Sequence, residues 1–235
     1  YYKIDDGNTN RISGTLRKNI EVKDTVWTQK KTDNMNNSTT LKNGSNYITA
    51  GQSGIWRSTD GETWVQLEAY DMSNSILIYN NNRFIAIGTS GIFYSNANGS
   101  SWSRAQSTNM ANSTYKIAFN RIIAVGPNGL FYSGNGTSWT KVTGIGDMSN
   151  PSIAFDNTTL VVAGKSGVFY STDGTNYTTT TTTAIAAINN TKRFTSMVRN
   201  TSGIYVAVGE DGIYYRDGGF WYTTNVIDTD VRGSV

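Results

Sequence analysis

The residue types that enzymes commonly use for catalysis are scarce in this chain. Its 235 residues include no histidine and no cysteine, which removes the usual general base, thiol chemistry and the commonest metal ligands. The glutamates are Glu21, Glu62, Glu68 and Glu210. Hydrolysis of a glycoside by paired carboxyl groups requires the two groups to face each other roughly 5–10 Å apart, and the adjacent Glu210 and Asp211 do not provide that by themselves. We therefore expect no catalytic residue, no cofactor and no metal site.

Polar side chains that could bind a ligand recur at one position, between two glycines. The pairs are Gln52-Ser53, Thr89-Ser90, Pro127-Asn128, Lys165-Ser166 and Glu210-Asp211. Amide, hydroxyl and charged groups on similar loops suit a repetitive polar ligand such as a glycan. The candidate ligand-binding residues are Gln52, Thr89, Asn128, Lys165, Glu210 and Asp211. The alternative is that these turns are ordinary solvated hairpins.

The elements that carry these pairs belong to a unit that occurs five times. Its leading glycines are Gly51, Gly88, Gly126, Gly164 and Gly209, which are 37, 38, 38 and 45 residues apart. In each unit a β-branched or aromatic run ends at the glycine, and a second apolar run follows the G-x-x-G turn. An Asn-Gly or Asp-Gly pair comes next, which is a strong hairpin signal, and then a segment with Trp or Tyr. With a short run upstream, each unit predicts a four-stranded antiparallel meander.

The two middle strands of each unit are apolar on successive residues, so both of their faces must be covered. Four-stranded units that repeat at about 40 residues and pack on both faces are the blades of a β-propeller. The sequence therefore predicts an all-β fold, a β-propeller of four-stranded antiparallel blades. Strands in a blade run outward from the axis, so we expect the turns between strands 2 and 3 (the 2–3 turns) on the same side as the connections between blades (the 4–1 connections).

The number of blades depends on the N-terminal segment. The last-strand aromatic occurs six times, at Trp27, Trp64, Trp102, Trp139, Tyr177 and Trp221, whereas the G-x-x-G turn occurs five times. We favour five clear blades over residues 32–235, with residues 1–31 as a lead-in. The alternative is six blades, in which residues 1–31 form a degenerate first blade, since terminal repeats are often atypical.

The segment from Ser58 to Trp64 (S-T-D-G-E-T-W) resembles the Asp-box, or BNR, hairpin of sialidase-like propellers, although it is one residue shorter. In that family the carboxylate ties the turn, the aromatic ring packs beneath it, and the box is not catalytic. A sialidase-like glycosidase would also need an arginine cluster, a Tyr/Glu nucleophile pair and an acidic proton donor. The arginines considered for such a cluster are Arg57, Arg104, Arg121, Arg193 and Arg216. We disfavour this enzyme function because separated loop carboxylates are lacking.

The low charge and the abundance of Asn and Thr make the chain similar to the propeller platform domains of phage receptor-binding proteins. That resemblance implies a trimeric tail-tip protein, extracellular or on the virion surface, that docks on a cell-surface glycopolymer. The alternative is a purely structural assembly domain that contacts neighbouring virion subunits or forms a homo-oligomer. The net charge of +3 is dispersed, which argues against a nucleic-acid partner. The sequence has no run of 18 apolar residues, so we expect no membrane insertion.

The fifth unit is the longest, and most of its extra length falls between Tyr177 and Phe194. This insertion precedes the first strand of the last blade. We expect it to project on the side of Lys165 and Glu210, and to contact a carbohydrate polymer or a neighbouring subunit.

Overall fold

The computed structural model describes residues 29–179, 194–199, 204–209, 212–217 and 220–223. The N-terminal segment 1–28, most of the insertion before Phe194, and the candidates Glu210 and Asp211 lie outside the described residues. Within them, twenty strands form five four-stranded antiparallel sheets, each in chain order, and we call these sheets blades 1 to 5. The described residues contain no helix that could span a membrane.

The strands follow the five sequence units. Blade 1 contains β1 (Thr39–Asn43), β2 (Asn46–Gly51), β3 (Gly54–Ser58) and β4 (Val65–Glu68). Blade 2 contains β5 (Ile76–Asn80), β6 (Arg83–Gly88), β7 (Gly91–Ser95) and β8 (Trp102–Gln106). Blade 3 contains β9 (Thr114–Ala118), β10 (Arg121–Gly126), β11 (Gly129–Ser133) and β12 (Thr140–Lys141). Blade 4 contains β13 (Ser152–Phe155), β14 (Leu160–Gly164), β15 (Gly167–Ser171) and β16 (Thr178–Thr179). Blade 5 contains β17 (Phe194–Arg199), β18 (Tyr205–Gly209), β19 (Gly212–Asp217) and β20 (Phe220–Thr223).

The two glycines of each G-x-x-G turn have different roles. They pair across the hairpin, as Gly51 does with Gly54. The second glycine has a positive φ, 109° at Gly54 and 115° at Gly91, which favours glycine. The first glycine does not have a positive φ, and its role is close packing. A Cβ atom at Gly51 would lie 2.8 Å from the Cβ of Ser38.

The loops between strands 3 and 4 (the 3–4 loops) connect the strands as hairpins, but they are not the type I′ turns that Asn-Gly and Asp-Gly pairs often form. The glycine has a positive φ in the first four blades, for example 81° at Gly61 and 77° at Gly136. The residue before it, such as Asp60, does not, whereas a type I′ turn requires positive φ at both positions. The loop after β3 is instead a wider turn that extends from Thr59 to Trp64.

Consecutive blades pack face to face, and their buried side chains form the core. Along β6, Phe84 and Ala86 pack towards blade 1, while the alternate residues Ile85 and Ile87 pack towards blade 3. Similar clusters join blade 3 to blade 4 and blade 4 to blade 5. The middle strands of blades 2, 3 and 4 are thus covered on both faces, as the sequence predicted. The first strands of neighbouring blades approach one another, for instance β9 and β13, which places strand 1 on the inner side of the array.

Candidate binding face

The 2–3 turns and the 4–1 connections lie at the same end of the sheets, which confirms the predicted arrangement. The Ser53 backbone N–H donates to the Asn34 carbonyl at 2.9 Å, and Ser166 donates to Asp147 at 2.8 Å. In each case the acceptor lies in the connection that enters the same blade. We call the surface formed by these turns and connections the turn face.

Hydrogen bonds also join the turn face from one blade to the next. The Met72 N–H donates to the Gly51 carbonyl at 2.9 Å, and Met110 donates to Gly88 at 2.9 Å. Each connection is therefore attached both to the turn of its own blade and to the turn of the preceding blade. This arrangement holds the exposed side chains of the turn face on a bonded backbone scaffold rather than on isolated loops.

Three of the predicted ligand-binding side chains fasten their own turns. The Thr89 hydroxyl donates to the Ser73 carbonyl at 2.8 Å, and the Asn128 amide donates to the Asn109 carbonyl at 2.7 Å. The Lys165 ammonium lies 3.0 Å from an Asp147 carboxylate oxygen. Gln52 is exposed, and its side chain has no hydrogen bond to the described residues. The structure thus places these four residues on one face, but each of the three bonded side chains contacts its own connection and no other candidate.

Asp147 is ionised over the physiological pH range. The Ser149 hydroxyl and then Lys165 hold the pKa of this carboxyl below its usual value. The ion pair itself is largely solvated, since the Lys165 side chain is 62% exposed, so it adds little stability. Its effect is to place one anionic and one cationic group side by side on the turn face.

An aromatic–cation pair on the turn face was missed by the sequence analysis. Tyr70 is 46% exposed, and its ring centroid lies 5.2 Å from that of Phe93. The Arg104 guanidinium lies 5.0 Å from the Tyr70 ring and donates to the Ser90 carbonyl in the 2–3 turn. The available signal was a departure from the repeat: Tyr70 lies six residues after Trp64, where the next blade has Thr108.

The 3–4 loops at the opposite end are held by side-chain clips. In blade 1 the buried Ser58 hydroxyl accepts the Gly61 N–H at 2.8 Å. The Asp60 carboxylate accepts the N–H groups of Glu62 and Thr63, each at 2.8 Å. The Trp64 indole N–H donates to the Gly61 carbonyl at 3.1 Å. Blades 3 and 4 repeat this pattern from Ser133 to Trp139 and from Ser171 to Tyr177.

The carboxylates of these clips have depressed pKa values. Backbone N–H groups, first that of Thr63 and then that of Glu62, hold the pKa of Asp60 well below its usual range. The N–H groups of Asn176 and Thr175 act in the same way on Asp173. Both groups are charged acceptors that hold the N–H groups of their own loops, which is a structural role.

The arginines required by the sialidase hypothesis do not gather at one place in the described residues. Arg57 donates to the Asn98 carbonyl at 3.0 Å and Arg121 to the Asp173 carbonyl at 3.5 Å, both at 3–4 loops. Arg104 lies at the turn face instead. Arg193 is outside the described residues. Among the residues that the structure does describe, no group of three His, Cys, Asp or Glu residues could hold a metal ion.

Comparison with known proteins supports the fold and does not extend beyond it. No protein-family model matches the chain, and no curated protein matches its sequence. The extracellular domain of the putative one-component system BT4673 from B. thetaiotaomicron matches with a TM-score of 0.52 at 10% identity, over 79% of this chain and 27% of that one. The computationally designed Ika8 protein matches with a TM-score of 0.52 at 11% identity, over 75% of this chain and 56% of that one.

A structure titled YCF48 bound to D1 peptide matches with a TM-score of 0.47 at 14% identity, over 80% of this chain and 67% of that one. The two matches with a TM-score of 0.52 have identities of 10% and 11%, which show a shared fold and not a shared function. The fold and the structural matches together define the class: this chain is a β-propeller of four-stranded antiparallel blades.

Proposed function

We propose that this propeller is a non-catalytic binding and platform domain that recognises a cell-surface carbohydrate through its turn face. The observation that carries the proposal is the exposed Tyr70 ring, held by Phe93 and Arg104 beside a scaffold of hydrogen-bonded polar turns. An exposed aromatic face next to fixed polar groups suits a sugar ring, which is apolar on one side and carries hydroxyl groups at its edge.

Further groups for hydrogen bonding to sugar hydroxyls are present on the same face. Gln52 offers an amide that no described residue uses, and the backbone groups of the turns are held in place by the connections. Lys165 and Asp147 provide a cation and an anion 3.0 Å apart. This balance favours a polar, weakly charged polymer over a polyanion such as nucleic acid.

The carboxylates with shifted pKa values support a function without catalysis. A general acid at neutral pH requires a pKa raised towards the operating pH. The pKa values of Asp60, Asp147 and Asp173 are all shifted in the opposite direction by local hydrogen bonds. Glu62 lies 3.8 Å from Lys30, with 71% of its side chain exposed, so it is a solvated surface carboxylate.

The biological setting that we propose is a phage tail or a similar surface machine, extracellular or on the virion. The Asp-box-like clips, together with the Asn/Thr-rich composition, support this comparison with platform domains of receptor-binding proteins. In such a setting the propeller would present the turn face to a glycopolymer, while other surfaces contact a second copy or neighbouring virion subunits.

The test is binding of the full chain to a glycan array and to purified cell-wall glycopolymers of Gram-positive bacteria. We expect Tyr70→Ala to weaken binding about tenfold, which corresponds to roughly 1.4 kcal/mol, and Tyr70→Phe to retain it, because the ring is kept. Gln52→Ala should also weaken binding. Its matched control, Asn176→Ala, removes an exposed amide from a 3–4 loop and should have no effect on affinity.

Three results would contradict this proposal. Loss of binding in Asn176→Ala but not in Tyr70→Ala would place the site elsewhere. A full chain that binds no glycan but forms a defined oligomer would favour the purely structural assembly function. Turnover of a glycoside by the folded chain would show that it is an enzyme.

A further inference from the structure

The chain contains four Asn-Gly steps, and one of them has a different environment from the other three. Asparagine is among the thermolabile residues of proteins. Its side-chain carbonyl carbon can be attacked by the backbone nitrogen of the next residue, most readily when that residue is glycine, which has no Cβ to obstruct the approach. The reaction is slowed where hydrogen bonds hold the glycine N–H, the asparagine side chain or the loop itself. The steps are Asn43-Gly44, Asn98-Gly99, Asn128-Gly129 and Asn135-Gly136.

The Asn135-Gly136 step in blade 3 is held at both reacting groups. The Gly136 N–H donates to the buried Ser133 hydroxyl at 2.8 Å. The Asn135 amide oxygen accepts the Thr137 and Ser138 N–H groups, each at 2.9 Å. Gly136 is itself buried, so its nitrogen cannot reach the Asn135 side chain unless the 3–4 loop opens.

Hydrogen bonds also hold the steps Asn98-Gly99 and Asn128-Gly129. The Gly99 N–H donates to the Asn96 carbonyl at 3.1 Å, and Gly99 is buried. The Asn128 side-chain amide donates to the Asn109 carbonyl at 2.7 Å. Gly129 begins β11 and pairs with the first glycine of its G-x-x-G turn. Reaction at either step therefore requires a loop or a hairpin to open first.

The Asn43-Gly44 step lies at the tip of the hairpin between β1 and β2. Asn43 ends β1 and pairs with Asn46, so that Gly44 and Ser45 form an exposed two-residue turn. Within the described part of the chain, the Gly44 N–H has no acceptor and the Asn43 side chain makes no hydrogen bond. Apart from its chain neighbours, nothing lies within 4 Å of the Gly44 Cβ position. This turn can therefore open locally without disturbing the core.

We propose that Asn43 is the residue at which the folded chain deamidates spontaneously. The Gly44 nitrogen gives up its proton to solvent and bonds to the Asn43 Cγ atom. The bond from Cγ to the side-chain amide nitrogen then breaks, and that nitrogen takes up a proton and leaves as ammonia. Water opens the resulting five-membered succinimide at either carbonyl, which gives aspartate or isoaspartate. Both products place a negative charge at the turn, and isoaspartate also adds a carbon atom to the main chain, which disturbs the pairing with Asn46.

The test follows deamidation at the four steps by peptide mapping of the full chain, incubated at mildly alkaline pH with and without urea. In the folded chain we expect Asn43 to react at least about tenfold faster than Asn98, Asn128 or Asn135, because reaction at those steps requires loop opening. In the urea-unfolded chain the four steps should react at similar rates, since all are Asn-Gly. In the folded chain, equal rates or a faster reaction at any other step would overturn the proposal. So would the absence of reaction at Asn43 over the time in which the unfolded chain reacts.

A pair of variants tests whether the hydrogen bond to the glycine nitrogen gives the protection. Ser133→Ala removes the acceptor of the Gly136 N–H, and it should accelerate deamidation at Asn135 in the folded chain while the rate at Asn43 stays the same. Ser138→Ala in the same loop keeps that acceptor and should leave both rates unchanged. An unchanged rate at Asn135 in Ser133→Ala would contradict the basis on which Asn43 is selected. A rise at both asparagines would show that global unfolding controls the reaction, and it would also overturn the proposal.

Discussion

The serine that ends the third strand organises the 3–4 loop. Ser58, Ser133 and Ser171 are buried, and each hydroxyl accepts the N–H of the glycine three residues later. Blade 2 has one more residue between this serine and the following tryptophan, Trp102, and there Ser95 accepts the Phe84 N–H instead. The Asn96 amide oxygen then accepts the N–H groups of Ser100 and Ser101. In blade 2 the residue directly after the serine thus holds the loop, whereas in blades 1, 3 and 4 it is the second residue after the serine.

Replacing one of these serines should destabilise the protein. We expect Ser133→Ala to lower the free energy of unfolding by about 1–3 kcal/mol, because the Gly136 N–H loses its acceptor in a buried position. Ser138→Ala in the same loop is the control, since Ser138 is exposed and uses only its backbone N–H. Urea denaturation measures both values, and equal stabilities of the two variants would contradict the assigned role.

The acidic clips should make stability depend on pH below about 4. The folded-state pKa values of Asp60 and Asp173 lie below the unfolded value of about 4. Their contribution to stability is therefore present above that value and is lost as the pH falls through it towards the folded-state pKa. When the pH is lowered from 4 to 2, we expect the double variant Asp60→Asn/Asp173→Asn to lose less free energy of unfolding than the parent chain.

Blade 3 supplies the control for that measurement, since Asn135 already holds the same position. Its amide oxygen accepts the Thr137 and Ser138 N–H groups, each at 2.9 Å, so an amide preserves the loop geometry. Asn135→Asp should add acid sensitivity of the same sign. Urea denaturation at several pH values tests the Asp60→Asn/Asp173→Asn double variant and the Asn135→Asp variant. If the double variant loses as much stability as the parent chain between pH 4 and pH 2, the depressed pKa values are contradicted.

At the scale of elements, the 4–1 connections are as regular as the strands. Met35, Met72, Met110 and Met148 are each followed two residues later by an asparagine with positive φ. The methionine and, in blades 1 to 3, the serine three residues after it fill the space left by the first glycine of the G-x-x-G turn, which explains why that glycine recurs without a positive φ. The connections thus close one end of each sheet.

The first glycine can be tested separately from backbone strain. A Cβ atom at Gly164 would lie 2.9–3.1 Å from backbone atoms of Met148, which cannot rotate away. We expect Gly164→Ala to cost about 1–3 kcal/mol through overpacking. Gly134→Ala is the matched control, because nothing lies within 4 Å of its Cβ position and its φ is not positive. Thermal unfolding of both variants provides the comparison, and equal melting temperatures would contradict the packing role.

The strands were predictable because their signals are local. Apolar runs, paired glycines and Asn-Gly or Asp-Gly steps determine each hairpin within a few residues, and β2, β6 and β10 all end at the expected glycine. The packing role of the first turn glycine was not predictable, because it depends on contacts with the connection that enters the blade, such as that of Gly51 with Met35 and that of Gly88 with Met72. The same limit applies to Thr89 and Asn128, whose partners lie 16 and 19 residues earlier in the chain.

The exposed aromatic of the candidate site also escaped the sequence analysis. Tyr70 lies in a 4–1 connection, outside the strand pattern on which the repeat was aligned. Its importance depends on Phe93 and Arg104, which come from the next blade. Contacts between blades depend on how the blades pack against one another, so they cannot be predicted from the sequence of one repeat.

At the scale of the whole molecule, stability resides in the interfaces between blades. A four-stranded sheet with two apolar faces cannot bury either face alone, so each blade depends on its neighbours, as in other repeat proteins. Phe131 shows this dependence: it is fully buried in the cluster that joins blades 2 and 3. A cavity made at this position weakens both blades at once.

We therefore expect Phe131→Ala to lower the free energy of unfolding by about 3–5 kcal/mol, from lost burial and the cavity that remains. Val65→Ala removes an apolar side chain that is 57% exposed in β4, and it should change stability by less than about 0.5 kcal/mol. Urea denaturation followed by tryptophan fluorescence and by far-UV circular dichroism should give one transition for both probes, because neither blade is stable once the shared cluster is lost. Two separated transitions in Phe131→Ala would mean that the blades fold independently, and a loss below about 1 kcal/mol would mean that the cluster between blades 2 and 3 does not support the array.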